Sequence, residues 1–298
     1  MTHDLAYRPV ALVTGVGRTT NIGAAVARRL VADGHRVLIT GHPSYDAEQG
    51  LAGGDPAGLA DEFGPDMHWQ PFDLTAPGGP EALVAAAVER FGGVDTLVSC
   101  HTYSTSTSLG ELDAAEIDRH LTVNVRANML LVQAYAAAHD DARPGRIVLF
   151  TSGQRLGPMT GELAYAASKA AIEYLTRDFS VLLAGRGITV NAVNPGPNDT
   201  GWADPETHAW VRDRFPAKRW GTPPTPRSSS AGSAPRRRMD HRPDRRLRRR
   251  LGRARRLIAG RATLIARLAR HLGECGVKIR TGAGQVGRSR GWGGDDRE

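Results

Sequence analysis

The first 222 residues predict an α/β domain, a parallel sheet covered by helices on both faces. A second segment, 223–298, is of different character. Three observations lead there. Short apolar runs alternate with helix-period segments from Val10 to Asn194, the pattern of strands joined by crossover helices. A glycine-rich turn follows the first run and opens the first helical segment. Finally, charge and composition change abruptly near residue 223.

The runs that read as strands are Val10–Thr14, Arg36–Thr40, Met67–Phe72, Thr96–Cys100, Arg146–Thr151 and Thr189–Asn194. They are rich in β-branched residues, and their near-continuous apolarity fits strands buried on both faces. Between them, helical periodicity predicts Ile22–Ala32, Pro56–Phe63, Glu81–Phe91, Ala114–Ala138 and Leu163–Leu183. This order predicts a Rossmann-like, doubly wound parallel sheet. An α/β domain without a nucleotide has the same pattern, so site residues must decide function.

Length allows one such domain of about 200–250 residues and an appendage. Residues after Met1–Pro9 enter the first strand directly, so no signal peptide is expected. No apolar run reaches the roughly 18–20 residues of a spanning helix. Two cysteines, Cys100 and Cys275, make no disulfide framework and no metal cluster, which points to a reducing cytoplasm and no metal site. The net charge of +8 averages two unlike parts. Residues 1–223 hold 18 basic against 25 acidic residues, and residues 224–298 hold 21 against 6, 20 of those 21 being Arg.

The turn reads Thr14-Gly15-Val16-Gly17-Arg18-Thr19-Thr20-Asn21-Ile22-Gly23. Glycines there permit positive φ and close approach of a pyrophosphate, and the helix N-terminus offers free N–H donors. Farther on, Tyr165-Ala166-Ala167-Ser168-Lys169 places Tyr165 and Lys169 on one helix face. A phenol ionises near pH 10, and an adjacent ammonium favours phenolate. A half-buried Tyr beside a solvated Lys would show the same spacing.

Taken together, the motifs resemble the short-chain dehydrogenase/reductase family, classical type, including its 3-oxoacyl-carrier-protein reductase-like members. The resemblance covers residues 8–223. It is carried by Thr14-Gly15, Asp73-Leu74, Asn124, Ser152, Tyr165 with Lys169, and Asn191 through Asn194-Pro195-Gly196-Pro197 to Thr200. It implies an NAD(P)(H)-dependent oxidoreductase interconverting a carbonyl and a secondary alcohol. Tyr165 would be the general acid or base, Lys169 would lower its pKa and hold the ribose, Ser152 would donate to the developing oxyanion, and Asn124 would hold a relay water. Gly15, Arg18, Asn21, Ile22 and Gly23 would carry the cofactor's phosphate side. Asp73 and Leu74 would meet its adenine, and Pro195, Gly196 and Thr200 its nicotinamide.

The sequence departs from the family in three places. The Thr-Gly-x-x-x-Gly-x-Gly pattern is lengthened, with Asn21 at its middle Gly, as in the enoyl-reductase branch. The Tyr165–Lys169 spacing nevertheless fits ordinary carbonyl chemistry. The family's Asn-Asn-Ala-Gly is Ser99-Cys100-His101-Thr102, where His101 reads either as a hydrogen-bonded loop histidine or as a substrate-facing one. The second strand ends Thr40-Gly41-His42-Pro43 without an acid, and Arg18 stands in the preceding turn; this favours NADP(H) over NAD(H), unless a bent loop returns Asp46. Trp202 and Trp210 lie in the variable lid segment and read either as ligand contacts or as packing residues.

The last segment lacks the family's closing helix, strand and Gly-Gln…Asp-Gly-Gly ending, so a family-like dimer or tetramer is in question. Its Arg-rich composition predicts a disordered or partly helical tail. Shifting the reading frame by one nucleotide from Met239 permits Trp-Ile-Thr-Gly-Gln-Thr-Val-Asp-Ser-Asp-Gly-Gly, so the tail reads as a frameshift product. Two alternatives stand beside the enzyme: an SDR-like binding protein that has lost activity, and a basic arm for nucleic acid. The arm lacks aromatic platforms for bases. Sequencing the gene around codons 222–239 is expected to show two small frame changes. Confirmed bases, with no in-frame relative carrying the usual ending, would refute the frameshift.

Overall fold

The computed structural model describes residues 7–221, apart from 49, 52–53, 204 and 215–217, together with Lys278–Ile279. The rest of the Arg-rich segment, and with it the expected disorder, lies outside the described residues.

Six parallel strands form the sheet: β1 (Val10–Thr14), β2 (Arg36–Ile39), β3 (Met67–Trp69), β4 (Thr96–Ser99), β5 (Gly145–Phe150) and β6 (Ile188–Asn194). With β7 (Lys278–Ile279), the spatial order is β3-β2-β1-β4-β5-β6-β7. The central register sets Val13 against Ile39 on one side and Val98 on the other. β7 pairs antiparallel with β6, Ile279 opposite Val193. The order reverses between β1 and β4, so the connections leaving these strands diverge and open a crevice at their C-terminal ends.

Alternation along the strands builds two cores. Val10, Leu12, Leu97, Ile147 and Leu149 face α4 (Gly79–Phe91), α6 (Ala127–Ala138) and α7 (Leu163–Ala184) through Leu83, Leu131 and Ile172. Ala11, Val13, Ile39, Val98 and Val148 face α1 (Ile22–Ala32) and α3 (Pro56–Asp61) through Ala27, Leu30 and Leu59. Burying one such aliphatic side chain contributes roughly 1.5–3 kcal/mol. Every strand expected from the sequence, and every helix except Ala114–Ala138, is present as one element with ends moved by up to three residues. Two short helices escaped the reading: α2 (Pro43–Glu48) and α8 (Pro205–Arg214), neither with an apolar period.

One helix is interrupted. The expected Ala114–Ala138 divides into α5 (Ala114–Leu121) and α6 around the wider π turn Thr122–Arg126. That extra residue turns both Asn124 and Asn128 inward, and the Asn128 amide donates to the Asn124 carbonyl at 2.9 Å. Among the described residues no helix is long and apolar enough to cross a membrane.

At the opposite end of the central strands, buried Asp95 ties the N-terminal end of β1 to β4. It accepts from Val10 N–H at 2.7 Å and from the Tyr7 hydroxyl, and lies 3.5 Å from Arg143. Asp95→Ala is expected to cost on the order of 2 kcal/mol in urea unfolding. Cofactor affinity, measured at the other end of the sheet, should not change.

Candidate active site

The turn after β1 is pressed against the segment after β4. Gly15 adopts φ +73°, and a Cβ there would lie 2.5 Å from His101 N and 2.6 Å from the Cys100 carbonyl carbon. Glycine is therefore required for two reasons, left-handed backbone and contact. Asn21, at the family's middle-glycine position, accepts from Ala24 N–H at 2.9 Å and donates to Gly15 O at 2.9 Å. It caps α1 and fastens the helix to the turn. Gly23 completes the approach, since a Cβ there would meet Gly15 O at 2.8 Å. Ile22 packs partly buried against the α1 side of the core.

Arg18 is only 8% exposed. Its Nη1 donates to Thr200 O at 2.6 Å, joining this turn to the loop after β6. Asp46, from α2, comes back over the turn to lie 3.3 Å from Arg18 Nε. Burial pushes the Asp46 carboxyl above its ordinary value, against the pull of Arg18. In the loop after β3, Asp73 accepts from Thr75 N–H at 2.8 Å and Thr75 Oγ1 at 2.6 Å. Partial burial would raise its carboxyl, but these two bonds hold it below its ordinary value. Leu74 beside it is buried in the core. Pro195 and Gly196 form a tight turn in which Asn198 Nδ2 donates to both carbonyls, at 2.9 and 3.1 Å.

α7 brings Tyr165 and Lys169 to the crevice. The Lys169 ammonium is 3% exposed, donates to Phe150 O at 3.2 Å, and sits 5.6 Å from the Tyr165 ring centroid. Burial lowers its pKa to about 8. Tyr165 is raised above 10, foremost by burial; a hydrogen bond from Ser152 works in the opposite direction. The phenol thus lies above its free value, and Lys169 faces its ring without bonding its oxygen. Asn124, fully buried, has its amide saturated, donating to Tyr103 O at 2.8 Å and Ser168 Oγ at 2.9 Å and accepting from Tyr103 N at 2.7 Å. Its backbone carbonyl, taken by Asn128, retains a second lone pair.

Of the two readings of His101, the geometry matches the hydrogen-bonded one. Nδ1 lies 2.8 Å from Thr14 Oγ1 and 3.1 Å from Ser99 Oγ, and Nε2 lies 3.3 Å from Asn128 Nδ2. Burial, then the Lys169 charge, lower its pKa to about 3. Trp202 is half exposed and meets Trp220 edge-on at 5.8 Å; the Trp210 side chain lies outside the described residues. Sequence reasoning missed an aromatic series beside Tyr165: Tyr45, Tyr103 and His120, at ring separations of 5.7, 4.7 and 6.4 Å along the series. It also missed Glu162, whose signal was its position three residues before Tyr165.

Residues 9–209 match the short chain dehydrogenase family. An uncharacterised oxidoreductase, YjdA, of Bacillus subtilis is 35% identical over 223 residues, covering 72% of this chain and 84% of its own. An L-xylo-3-hexulose reductase of Hypocrea jecorina is 38% identical over 212 residues, 65% of this chain and 67% of its own. A crystal structure of a dehydrogenase/reductase from Sinorhizobium meliloti superposes with a TM-score of 0.63 at 31% identity, covering 72% of this chain and 83% of that one.

His101 predicts an acid-sensitive fold. A histidine held near 3 when folded and free at 6.5 when unfolded leaves stability whole above pH 6.5 and removes it as pH falls toward 3. The slope is about 1.4 kcal/mol per pH unit. Urea titrations of wild type and His101→Gln across this window should differ by that slope. Parallel curves would contradict the assignment.

Proposed function

Because this chain belongs to the short-chain dehydrogenase/reductase family, and is thus an oxidoreductase with a fold that takes a nicotinamide dinucleotide, we propose that it reduces a carbonyl to a secondary alcohol, with Tyr165 as proton donor and NADP(H) as preferred cofactor. One observation carries the reading: Ser152, Tyr165 and Lys169 meet at the crevice beside a turn whose Gly15 has no room for a side chain. When bound, the reduced nicotinamide supplies the hydride. All other steps belong to the chain.

A partly buried phenol raised above its free value is neutral near pH 7, which suits it to donate to an oxygen gaining negative charge. Ser152 offers a second hydrogen bond to that oxygen. Lys169, with its pKa near 8, keeps a positive charge at neutral pH with little water around it, and is the group for the ribose hydroxyls. Asn124 serves by position, holding the Tyr103 backbone and, through Ser168, α7. Gly15, Asn21, Ile22 and Gly23 suit the pyrophosphate, Asp73 and Leu74 the adenine, and Pro195, Gly196 and Thr200 the nicotinamide side. A small-molecule substrate follows. α7 also leaves Tyr174, Val181 and Leu182 exposed on its outer side, a surface suited to self-association.

The preference for NADP(H) rests on Arg18. The loop does return Asp46 to within 3.3 Å of this guanidinium, which counts against the preference, but a 2′-phosphate brings more charge to the same group and would compete for it. Fluorescence titration should show Arg18→Ala weakening NADPH about tenfold with little change for NADH. Asp46→Asn should strengthen NADPH. Tighter NADH binding in the wild type would overturn the preference. For the reaction itself, ketone reduction at saturating NADPH should be flat below pH 7 and fall as Lys169 loses its proton near pH 8. A rate still rising above pH 8 would contradict the assigned roles.

A further inference from the structure

Beside the candidate proton donor stands a carboxylate that the chemistry above leaves unused. Glu162 immediately precedes α7, three residues before Tyr165, and does not cap the helix with its side chain. It is half-buried, and among the described residues its carboxylate has no hydrogen bond and no ion pair. Burial raises its pKa with nothing opposing, and its charge is felt at the Tyr165 phenol, which it raises in turn. Keeping an unpaired carboxylate partly out of water is costly, and such groups mark functional positions.

Its surroundings are held firmly. Thr107 forms a parallel bridge with Glu162, and Leu163 N–H donates to Thr107 O at 3.3 Å. The loop that carries Thr107 is tied down by Glu116, which accepts from the Thr105 hydroxyl and from Tyr103 OH, the latter at 3.0 Å. The Thr107 Oγ1 is itself buried without a partner. Near Tyr165, then, the chain sets an unpaired carboxyl group and a hydroxyl on a wall held by hydrogen bonds, with no cation among the described residues paired with the carboxyl.

We propose that Glu162, assisted by Thr107, selects the substrate: a carbonyl compound bearing an O–H or N–H donor beside the carbonyl, with compounds bearing a carboxylate there rejected. The assignment rests on the carbonyl-reduction reading and adds the substrate class to it. A hydroxyl and an ammonium share the required chemistry, a donor to a carboxylate, and a charge-assisted bond is the stronger for the ammonium. A carboxylate on the substrate would meet like charge in a poorly solvated place.

Four ketones of the form CH3–CO–CH2–X separate the terms: aminoacetone, hydroxyacetone, butanone and acetoacetate. With NADPH and the full chain, the wild type should rank the first two above butanone in kcat/KM and acetoacetate last. Ratios to butanone are the readout, because any change that Glu162 makes in the Tyr165 pKa acts on all four alike. In Glu162→Gln the aminoacetone ratio should fall about tenfold and the acetoacetate ratio should rise. Thr107→Val, which keeps its shape, should lower the hydroxyacetone ratio. A loss confined to aminoacetone assigns a cationic substrate, and a comparable loss for hydroxyacetone assigns a polyhydroxy one; both support the proposal. Unchanged ratios, or a uniform change in all four rates, would overturn it and leave carbonyl reduction standing. A wild type inert toward all four would overturn the reduction reading and the substrate class together.

Discussion

The side-chain amide of Asn124 closes four hydrogen bonds: from Tyr103 N–H and Thr102 Oγ1 to its oxygen, and from its nitrogen to Tyr103 O and Ser168 Oγ. Ser168 passes the connection on, donating to the Tyr165 carbonyl at 2.7 Å. A single buried side chain thus fixes the segment after β4 and the helix that carries the phenol and the ammonium. The wide turn between α5 and α6 is what points Asn124 inward, so a local irregularity of the helix sets the site's geometry. A fully satisfied buried network of this kind is rigid, whereas losing one member would leave several polar groups unpaired.

Burial then sets the electrostatics. Lys169 is buried and His101, Cys100 and Tyr165 are partly buried near it, and each is driven toward its neutral form: the two bases down to about 8 and about 3, the thiol up to about 12, the phenol upward. Cys100 is therefore held as a thiol, and His101 as a neutral ring near the ammonium. In this setting the phenol suits the proton-donor role proposed for it. A lowered phenol poised for proton removal, the expectation from the Tyr–Lys spacing, would need Lys169 at the phenol oxygen, whereas here its ammonium is bonded to Phe150 O.

Much of this was legible in the residues themselves. Six β-branched runs separated by helix-period segments are enough for a parallel sheet, because strands buried on both faces have few other patterns. The glycines of the first turn and the Tyr165–Lys169 spacing located the crevice. What stayed hidden depends on long-range packing. The return of Asp46 to Arg18 requires α2, six residues without an apolar period. The turn at Asn124 looks in sequence like continuous helix, since Thr122-Val123-Asn124-Val125-Arg126 contains no breaker. Glu162 reads as an ordinary polar residue until the loop carrying Thr107 is laid across it.

In the proposed reaction Tyr165 gives the proton while the rest of the site holds substrate and cofactor. Its most direct test is single-turnover reduction of a ketone by Tyr165→Phe, with NADPH affinity measured on the same protein. The chemical step should be slowed by at least about a thousandfold, the scale of a lost general acid together with its hydrogen bond, with NADPH bound as tightly as by the wild type. A variant that binds NADPH normally and reduces the ketone at close to the wild-type rate would contradict it.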